Sequence, residues 1–489
     1  MANRLINKTL FIEKALIDGK WVTAQSQERF DVFNPSNGEK LATLPEMDIE
    51  DVTLATKAAA SALSSWKTTP GKTRGQIIRK WANLMNENGA DLATLMTLEN
   101  GKPYAEAKGE ITFAAGYLEF YSGEAERCYG EIVPSSNSSN RVFAIKQPIG
   151  VVACLAPWNF PAAMITRKAG AAIAAGCTTV VKPAGETPLT ALAIAFLGEQ
   201  AGLPKGVLNI VTAMRKLETV GKALCEDKIV KKLSFTGSTP VGKLLMAQCA
   251  SSLKKLSMEL GGNSPFIIFE DSDLDQAVDI LMSAKIRNSG QTCVCANRIY
   301  VQRSIHDIIA AKLVEKFKNL KIGDGFLEGV TVGPLTSKRG VQKAARHVQE
   351  AISSGAKLLH GGNVIPGHGN FFEPAVLTGM NPTMLSHREE IFAPVAALYP
   401  FDTEEDVIEM ANNSEVGLGS YVCTKDGARQ WRVAEQLEAG MVGINTGVLS
   451  GGEIPFGGLK QSGFGLEGGK WGVEEYLVTR AVIMAVPDV

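Results

Sequence analysis

The chain has 489 residues, 45% of them hydrophobic, with 50 Lys+Arg against 51 Asp+Glu and a formal net charge of −1. That length and apolar fraction can bury a large core, divided into about two or three domains. Balanced charge without a basic tract excludes nucleic acid as an expected partner and leaves a small-molecule substrate as the default.

The opening Met-Ala-Asn-Arg-Leu-Ile-Asn lacks an apolar core of export-signal length and soon meets Glu13 and Asp18. Cysteines at 128, 154, 177, 225, 249, 293, 295 and 423 are scattered, as reduced thiols in a cytoplasmic compartment would be. Helical periodicity dominates roughly residues 50 to 127. Two β-prone runs around a polar turn then predict a hairpin within Glu131 to Ile145. Gln147 to Thr166 carries no charge, yet Pro148, Pro157 and Pro161 interrupt it, so a buried strand and loop is expected rather than a membrane span.

From residue 151 the pattern alternates. Apolar runs at 151–155, 178–182, 207–211 and 231–235 are each followed by an Ala- and Leu-rich helical segment, which predicts βαβ units and a parallel sheet. A second such series starts at Pro265-Phe-Ile-Ile-Phe269 and runs to about residue 445. Glycines then crowd positions 443 to 469 among apolar and aromatic residues, which implies close backbone approach rather than a linker.

Chemistry gathers at a few strings. In Asn288-Ser-Gly-Gln-Thr-Cys-Val-Cys-Ala-Asn-Arg298 a cysteine follows a helix expected to end at Gly290, so Cys293 is a candidate nucleophile. An ordinary thiol, with a pKa of roughly 8.5, is only slightly ionised at neutral pH and needs a base. Glu259, in Met258-Glu-Leu-Gly-Gly-Asn263, offers one; partial burial would raise its pKa toward useful values. Asn159 follows the strand at 151–155, at the carboxyl edge where α/β sheets bind ligands. The strand 232–236, Gly237 and a helix from Ser238 form a turn suited to phosphate, although a capped helix would read the same. Two cations are placed for an anionic substrate: Arg167, which follows Phe160 and Met164 on one predicted helical face, and Arg287, six residues before Cys293. Pairing with an acid or with the helix dipole would make them structural instead. The five histidines show no His-x-x-x-His spacing, Cys293-Val-Cys295 is no zinc pair and no Gly-x-Ser-x-Gly is present, so neither a metal nor a serine nucleophile is expected.

Together with Pro157-Trp-Asn-Phe-Pro161 and Phe235-Thr-Gly-Ser-Thr239, these strings resemble the NAD(P)-dependent aldehyde dehydrogenase superfamily over essentially the whole chain. The resemblance implies an α/β architecture: a Rossmann-type cofactor domain (1–132 and 148–258), an α/β catalytic domain (259–455) and a small β oligomerisation arm (133–147 and 456–489) of a homodimer or homotetramer. It implies that Cys293 attacks the aldehyde, that a thiohemiacetal yields hydride and becomes a thioester, and that Glu259 activates the hydrolytic water. The Asn159 amide and the Cys293 N–H would hold the oxyanion. Pro157, Trp158, Lys182, Gly185, Gly237, Ser238, Glu390 and Phe392 would contact the cofactor. Met164-Ile-Thr-Arg-Lys168, Arg287 to Arg298 and Asn445-Thr-Gly447 resemble succinate-semialdehyde dehydrogenases in particular, where Arg167, Arg287 and Ser450 would grip the substrate carboxylate. Glutarate semialdehyde is the neighbouring alternative, and a non-catalytic binding protein on the same fold is the alternative of another class. Relatives with Cys-x-Cys use it as a redox switch, which would make Cys295 the partner of Cys293; plain packing of Cys295 is the rival reading. Gly185 stands where NAD-using relatives carry glutamate, so NADP is the expected preference, with space and the Lys182 charge left for its phosphate and NAD also possible.

Overall fold

The structure is a computed structural model and describes residues 4–486. Four helices open the chain after two short hairpins: Ile49–Trp66, Gly71–Glu87, Gly89–Asn100 and Tyr104–Glu124. The first begins in a capping box between Asp48 and Asp51, satisfying two amide donors that the first helical turn leaves open. Trp81, fully buried, donates to Ile194 O at 2.9 Å and ties the second helix to Pro188–Ala201.

The alternating region forms the expected parallel sheet. Its central strands lie in the order Leu208–Ile210, Thr178–Lys182, Val151–Leu155, Val230–Thr236 and Lys255–Glu259, all parallel. Chain order reverses beside Val151–Leu155, so the crevice at a topological switch point opens next to Pro157-Trp158-Asn159. Register sets Leu155 opposite Lys182 and Thr236 opposite Glu259, which puts these residues on one sheet edge.

A second, seven-stranded sheet is built around Pro265–Ile268, Arg298–Gln302, Val395–Phe401 and Gly419–Cys423, again parallel. The loops that lead into these strands carry Asn263, Cys293 and Phe392. The carboxyl edge of the first sheet therefore faces the amino edge of the second. A third, three-stranded antiparallel sheet joins Glu131–Val133, Asn140–Pro148 and Leu477–Ala485.

Three expectations change. From the segment 456–486 only Leu477–Ala485 joins the hairpin, because Gly463–Phe464 pairs with Lys255–Glu259 and Leu459–Lys460 with Val416–Gly417. The helix before Cys293 ends at Ile286, not Gly290: Asn288 (φ 52°) and Ser289 (φ 54°) are left-handed. Hydrogen bonds hold that costly turn, from Asn288 N to Glu106 Oε1 (2.6 Å) and from Ser289 Oγ to Gly333 O (3.0 Å). Finally, Phe160, Met164 and Arg167 do not share one regular helix. Ala163–Ile165 is α-helical, Thr166–Gly170 is a π-turn and Ala171–Ala175 resumes the α-helix.

Candidate active site

The loop holding Cys293 is fixed from several sides. Tyr421 Oη donates to Val294 O at 2.7 Å, and Gln291 Nε2 donates to Asn288 O at 3.0 Å. A Cβ at Gly262 would overlap Cys293 O, so glycine there lets the segment after Glu259 lie directly against the nucleophile's backbone. Cys293 itself is only partly buried, and its N–H donates to no carbonyl among the described residues. Desolvation pushes the thiol up to about 12, opposed by the Arg167 charge, so at rest it is protonated.

Asn159 is buried behind it. Its Nδ2 donates to Gln291 O at 3.1 Å, while its carbonyl accepts from Lys102 Nζ (3.1 Å) and Asn288 Nδ2 (2.9 Å). Lys102 is ion-paired to Glu110, whose Oε1 also accepts from Ala162 N at 3.0 Å. One hydrogen of the Asn159 amide and the Cys293 N–H are thus left for an oxyanion.

Glu259 is buried and neither carboxylate oxygen has a hydrogen-bond partner among the described residues. Desolvation, and then the neighbouring Glu467, hold its carboxyl well above the ordinary range, with Arg167 and Lys168 pulling the other way. A buried carboxyl in that state can take a proton from water or thiol once it is deprotonated, which is the work of a general base.

Arg167 is not a free cation. Its Nη2 lies 2.8 Å from Glu467 Oε2, Lys168 is paired to the same carboxylate, and the guanidinium stacks 4.0 Å from the Phe456 ring centre. Burial pushes Glu467 up, but Lys168 and Arg167 outweigh it and hold the group below the usual range. Arg287 differs. No carboxylate among the described residues pairs with it within 4.0 Å, and it lies over the rings of Phe160 (4.9 Å) and Phe113 (5.4 Å). Ser450, partly buried, makes no hydrogen bond among the described residues. Its loop presses on the same helix as Phe113, since a Cβ at Gly452 would lie 3.0 Å from Gly116 O.

A second group of residues has cofactor-like features. Ser238 caps the helix Thr239–Cys249 with no side-chain hydrogen bond, exposed at a helix N-terminus, and Gly237 N donates to Glu259 O at 3.0 Å. Lys182 is buried, and desolvation lowers its ammonium to about 8 against the pull of Glu186 and Glu46. Trp158 and Phe392 meet edge to face with ring centres 5.5 Å apart, beyond Pro157. Phe392 is itself left-handed (φ 59°). Glu390, pushed up to about 7 by burial against Lys343 and Lys285, accepts from Gly262 N at 3.5 Å. Gly185 departs from expectation: a Cβ there would meet Met214 Sδ at 2.5 Å and Ala213 O at 3.0 Å, so Met214 fills the space the glycine was expected to leave.

Cys295 is buried and aims its thiol at Lys285 O, 3.6 Å away, on the helix preceding the loop. All eight cysteines are free. Among the described residues no group of His, Cys, Asp and Glu is arranged to hold a metal, and no helix is long and apolar enough to cross a membrane.

Sequence reading missed Glu467, Lys102 and Glu110. Each meets its partner only in the fold; Lys168 and Glu467 are 299 positions apart. The one available signal was Lys168, which with Arg167 is one of two adjacent charges in the otherwise uncharged run 151–181.

A profile of the aldehyde dehydrogenase family matches residues 21–482. The chain is 50% identical over 474 residues to a succinate-semialdehyde dehydrogenase (NADP(+)) of Escherichia coli (strain K12), covering 97% of this chain and 98% of that one. It is likewise 50% identical over 483 residues to a glutarate-semialdehyde dehydrogenase of Pseudomonas putida, covering 99% and 100%. The crystal structure of an aldehyde dehydrogenase from Brucella melitensis biovar abortus 2308 superposes with a TM-score of 0.97 at 50% identity, covering 98% of this chain and 99% of that one.

Proposed function

The chain belongs to the aldehyde dehydrogenase family, and from that premise we propose that it oxidises a semialdehyde bearing a carboxylate, succinate semialdehyde, to the diacid with NADP⁺. The observation that carries the substrate class is Arg287, a cation without an acidic partner that lies over Phe160, the residue following Asn159. A guanidinium laid over aromatic faces, with the buried Glu106 carboxyl near it but in no ion pair with it, keeps donors for a ligand carboxylate, and Ser450 adds a hydroxyl from the facing loop. Arg167 serves a different end in this reading: committed to Glu467, it contributes positive charge near Glu259 and Cys293. The relatives act on succinate and glutarate semialdehydes by name, which differ by one methylene. A pocket discriminates such a pair by roughly 10–200-fold.

In the reaction, the bound nicotinamide supplies the hydride acceptor. Glu259, once deprotonated, takes the Cys293 proton and later that of the water that hydrolyses the thioester. Asn159 and the Cys293 N–H receive the oxyanion. Ser238 and Gly237 would hold the pyrophosphate, Lys182 and the Gly185 turn the adenosine ribose, and Glu390, Phe392, Trp158 and Pro157 the nicotinamide ribose and ring. The fit rests on a helix N-terminus without a side-chain cap bond and on a buried ammonium with no hydrogen bond among the described residues. Lys182 favours a 2′-phosphate; the preference for NADP⁺ rests on that charge, because Met214 occupies the room beside Gly185.

Cys295 reads as a packing residue, since its thiol is directed to the Lys285 carbonyl and the loop between the two cysteines is anchored by Tyr421. The arm strand Leu477–Ala485 is exposed along nearly its whole length and carries Ile483 and Met484 outward, with Ile132 on the hairpin. That apolar surface supports coverage by a second copy, as a dimer or tetramer. With reduced cysteines, a cytoplasmic location completes the reading. Steady-state rates with succinate semialdehyde, glutarate semialdehyde and an uncharged aldehyde of equal length, each with NADP⁺ and NAD⁺, test it. Comparable kcat/KM for the uncharged aldehyde would overturn the substrate class, and a clear preference for NAD⁺ would overturn the cofactor.

A further inference from the structure

Away from the active site, two cysteines meet in the core of the first domain. Cys225 is the penultimate residue of the helix Leu217–Glu226, and Cys249 is the last of Thr239–Cys249. The two helices flank the strand Val230–Thr236 in sequence and bring Cα atoms within 8 Å of one another. Their register can be read from Gly221, where a Cβ would touch Leu245 Cδ2 at 3.6 Å. One helical turn further along both helices stand Cys225 and Cys249, neighbours in the same register as Gly221 and Leu245 and close enough for each thiol to shift the other. Both are buried and free. Lys254 lies beside them, its Nζ donating to Val230 O at 2.9 Å and to Asp227 O.

We propose that Cys225 and Cys249 are a redox-active dithiol, separate from Cys293 and Cys295, which a hydroperoxide converts into an intrachain disulfide joining the ends of the two helices. Cys249, as thiolate beside the Lys254 ammonium, attacks the peroxide O–O bond. The Cys249 sulfur becomes a sulfenic acid, and the expelled alkoxide or hydroxide takes up the proton that Cys249 released. The Cys225 thiol then attacks that sulfur, the S–O bond breaks, and the departing hydroxide leaves as water with the Cys225 proton. Two electrons pass from the two thiols to the peroxide, and one alcohol (or water) and one water are formed.

The division of labour follows from the influence of each thiol on the other. It lowers Cys249, with Lys254 acting in the same direction, and raises Cys225. Both thiols are buried, and the route to them is local fraying: each ends its helix, and Leu253 just beyond is left-handed and 94% exposed, so the last turns can part while the sheet stays folded. Bridging requires Cα atoms within about 7 Å, a small closure for two helix ends already in contact.

The test uses the full chain carrying Cys293→Ala and Cys295→Ala, which leaves six of the eight cysteines. After hydrogen peroxide, two of those six thiols should be lost to titration and regained with dithiothreitol. A non-reducing tryptic digest should contain Ala223–Lys228 linked to Leu244–Lys254. The same linked peptides should appear from the unsubstituted chain, so the result does not depend on how the variant folds. Cys249→Ser should abolish the link. Six thiols still titrating after oxidation, or sulfinic acid at Cys249 without a link to Cys225, would overturn the proposal.

Discussion

Glu259 and Glu467 both lie in the dry interior, Glu467 close enough to shift Glu259, and their carboxyl groups are displaced in opposite directions. Glu467 has Lys168 and Arg167 against its oxygens; Glu259 has no hydrogen-bond partner among the described residues. Burial alone penalises both charges. The difference is that Glu467 recovers the loss by pairing, whereas Glu259 does not and its carboxyl is held above the ordinary range. One carboxylate is thus a fixed charge that organises cations, and its neighbour is free to trade a proton. The same contrast separates the arginines, Arg167 being paired and Arg287 not.

Removing the reacting groups should have the largest effect. Cys293→Ala is expected to reduce aldehyde-dependent cofactor reduction, followed by absorbance, to background. Glu259→Gln should lose roughly 10²–10⁴-fold in steady-state rate. Glu467→Gln attacks the other half of the contrast, leaving Arg167 and Lys168 buried without their counter-charge. Breaking such a cluster typically costs about 3–5 kcal/mol, read as a lower denaturation midpoint. With one negative neighbour gone, the Glu259 carboxyl should also fall, moving the rise of the pH–rate profile to lower pH. An unchanged profile would mean that the two carboxylates do not communicate.

Arg287→Ala should raise KM for succinate semialdehyde by roughly 10–100-fold, the worth of a charged hydrogen bond of about 1.5–3 kcal/mol, and leave KM for an uncharged aldehyde nearly unchanged. Arg167→Ala should instead lower stability and rate for both substrates. Equal behaviour of the two variants would erase the distinction. A smaller effect concerns stability against pH. Because the folded state holds the Glu259 proton above its ordinary pKa, the unfolded chain ionises first, and stability is lost as pH rises beyond about 4.5 until the folded value is passed. Glu467 has the opposite sign, its stabilisation being lost as pH falls through its lowered value. Glu259→Gln should therefore be more stable than the parent at pH 8 by denaturant titration, even though it is nearly inactive. The smallest change is expected from Cys295→Ala, which should retain most of the turnover.

The strands of the first sheet were legible because an apolar run followed by a helical segment leaves little choice of structure. So were Cys293, Glu259 and the Pro157–Asn159 turn, whose strings are local. Pairing over long separation was not: nothing near Arg167 in sequence announces Glu467. The helix end at Ile286 was missed because Ser289 adopts a left-handed conformation that serine seldom takes and that only hydrogen bonds from distant segments maintain. Gly185 misled for a related reason, since the side chain that fills its place comes from Met214.

The π-turn at Thr166–Gly170 works as a rotational offset. One extra residue is absorbed without lengthening the helix by a full turn, and everything after it is rotated by about 100° relative to a regular continuation. Arg167 and Lys168 sit inside that offset, so both can reach a single carboxylate although adjacent helical positions ordinarily point well apart. The phase of this helix is therefore part of the active site's wiring. Deleting one residue between 166 and 170, a change that touches no reacting atom, would restore a regular helix and aim the two cations in different directions.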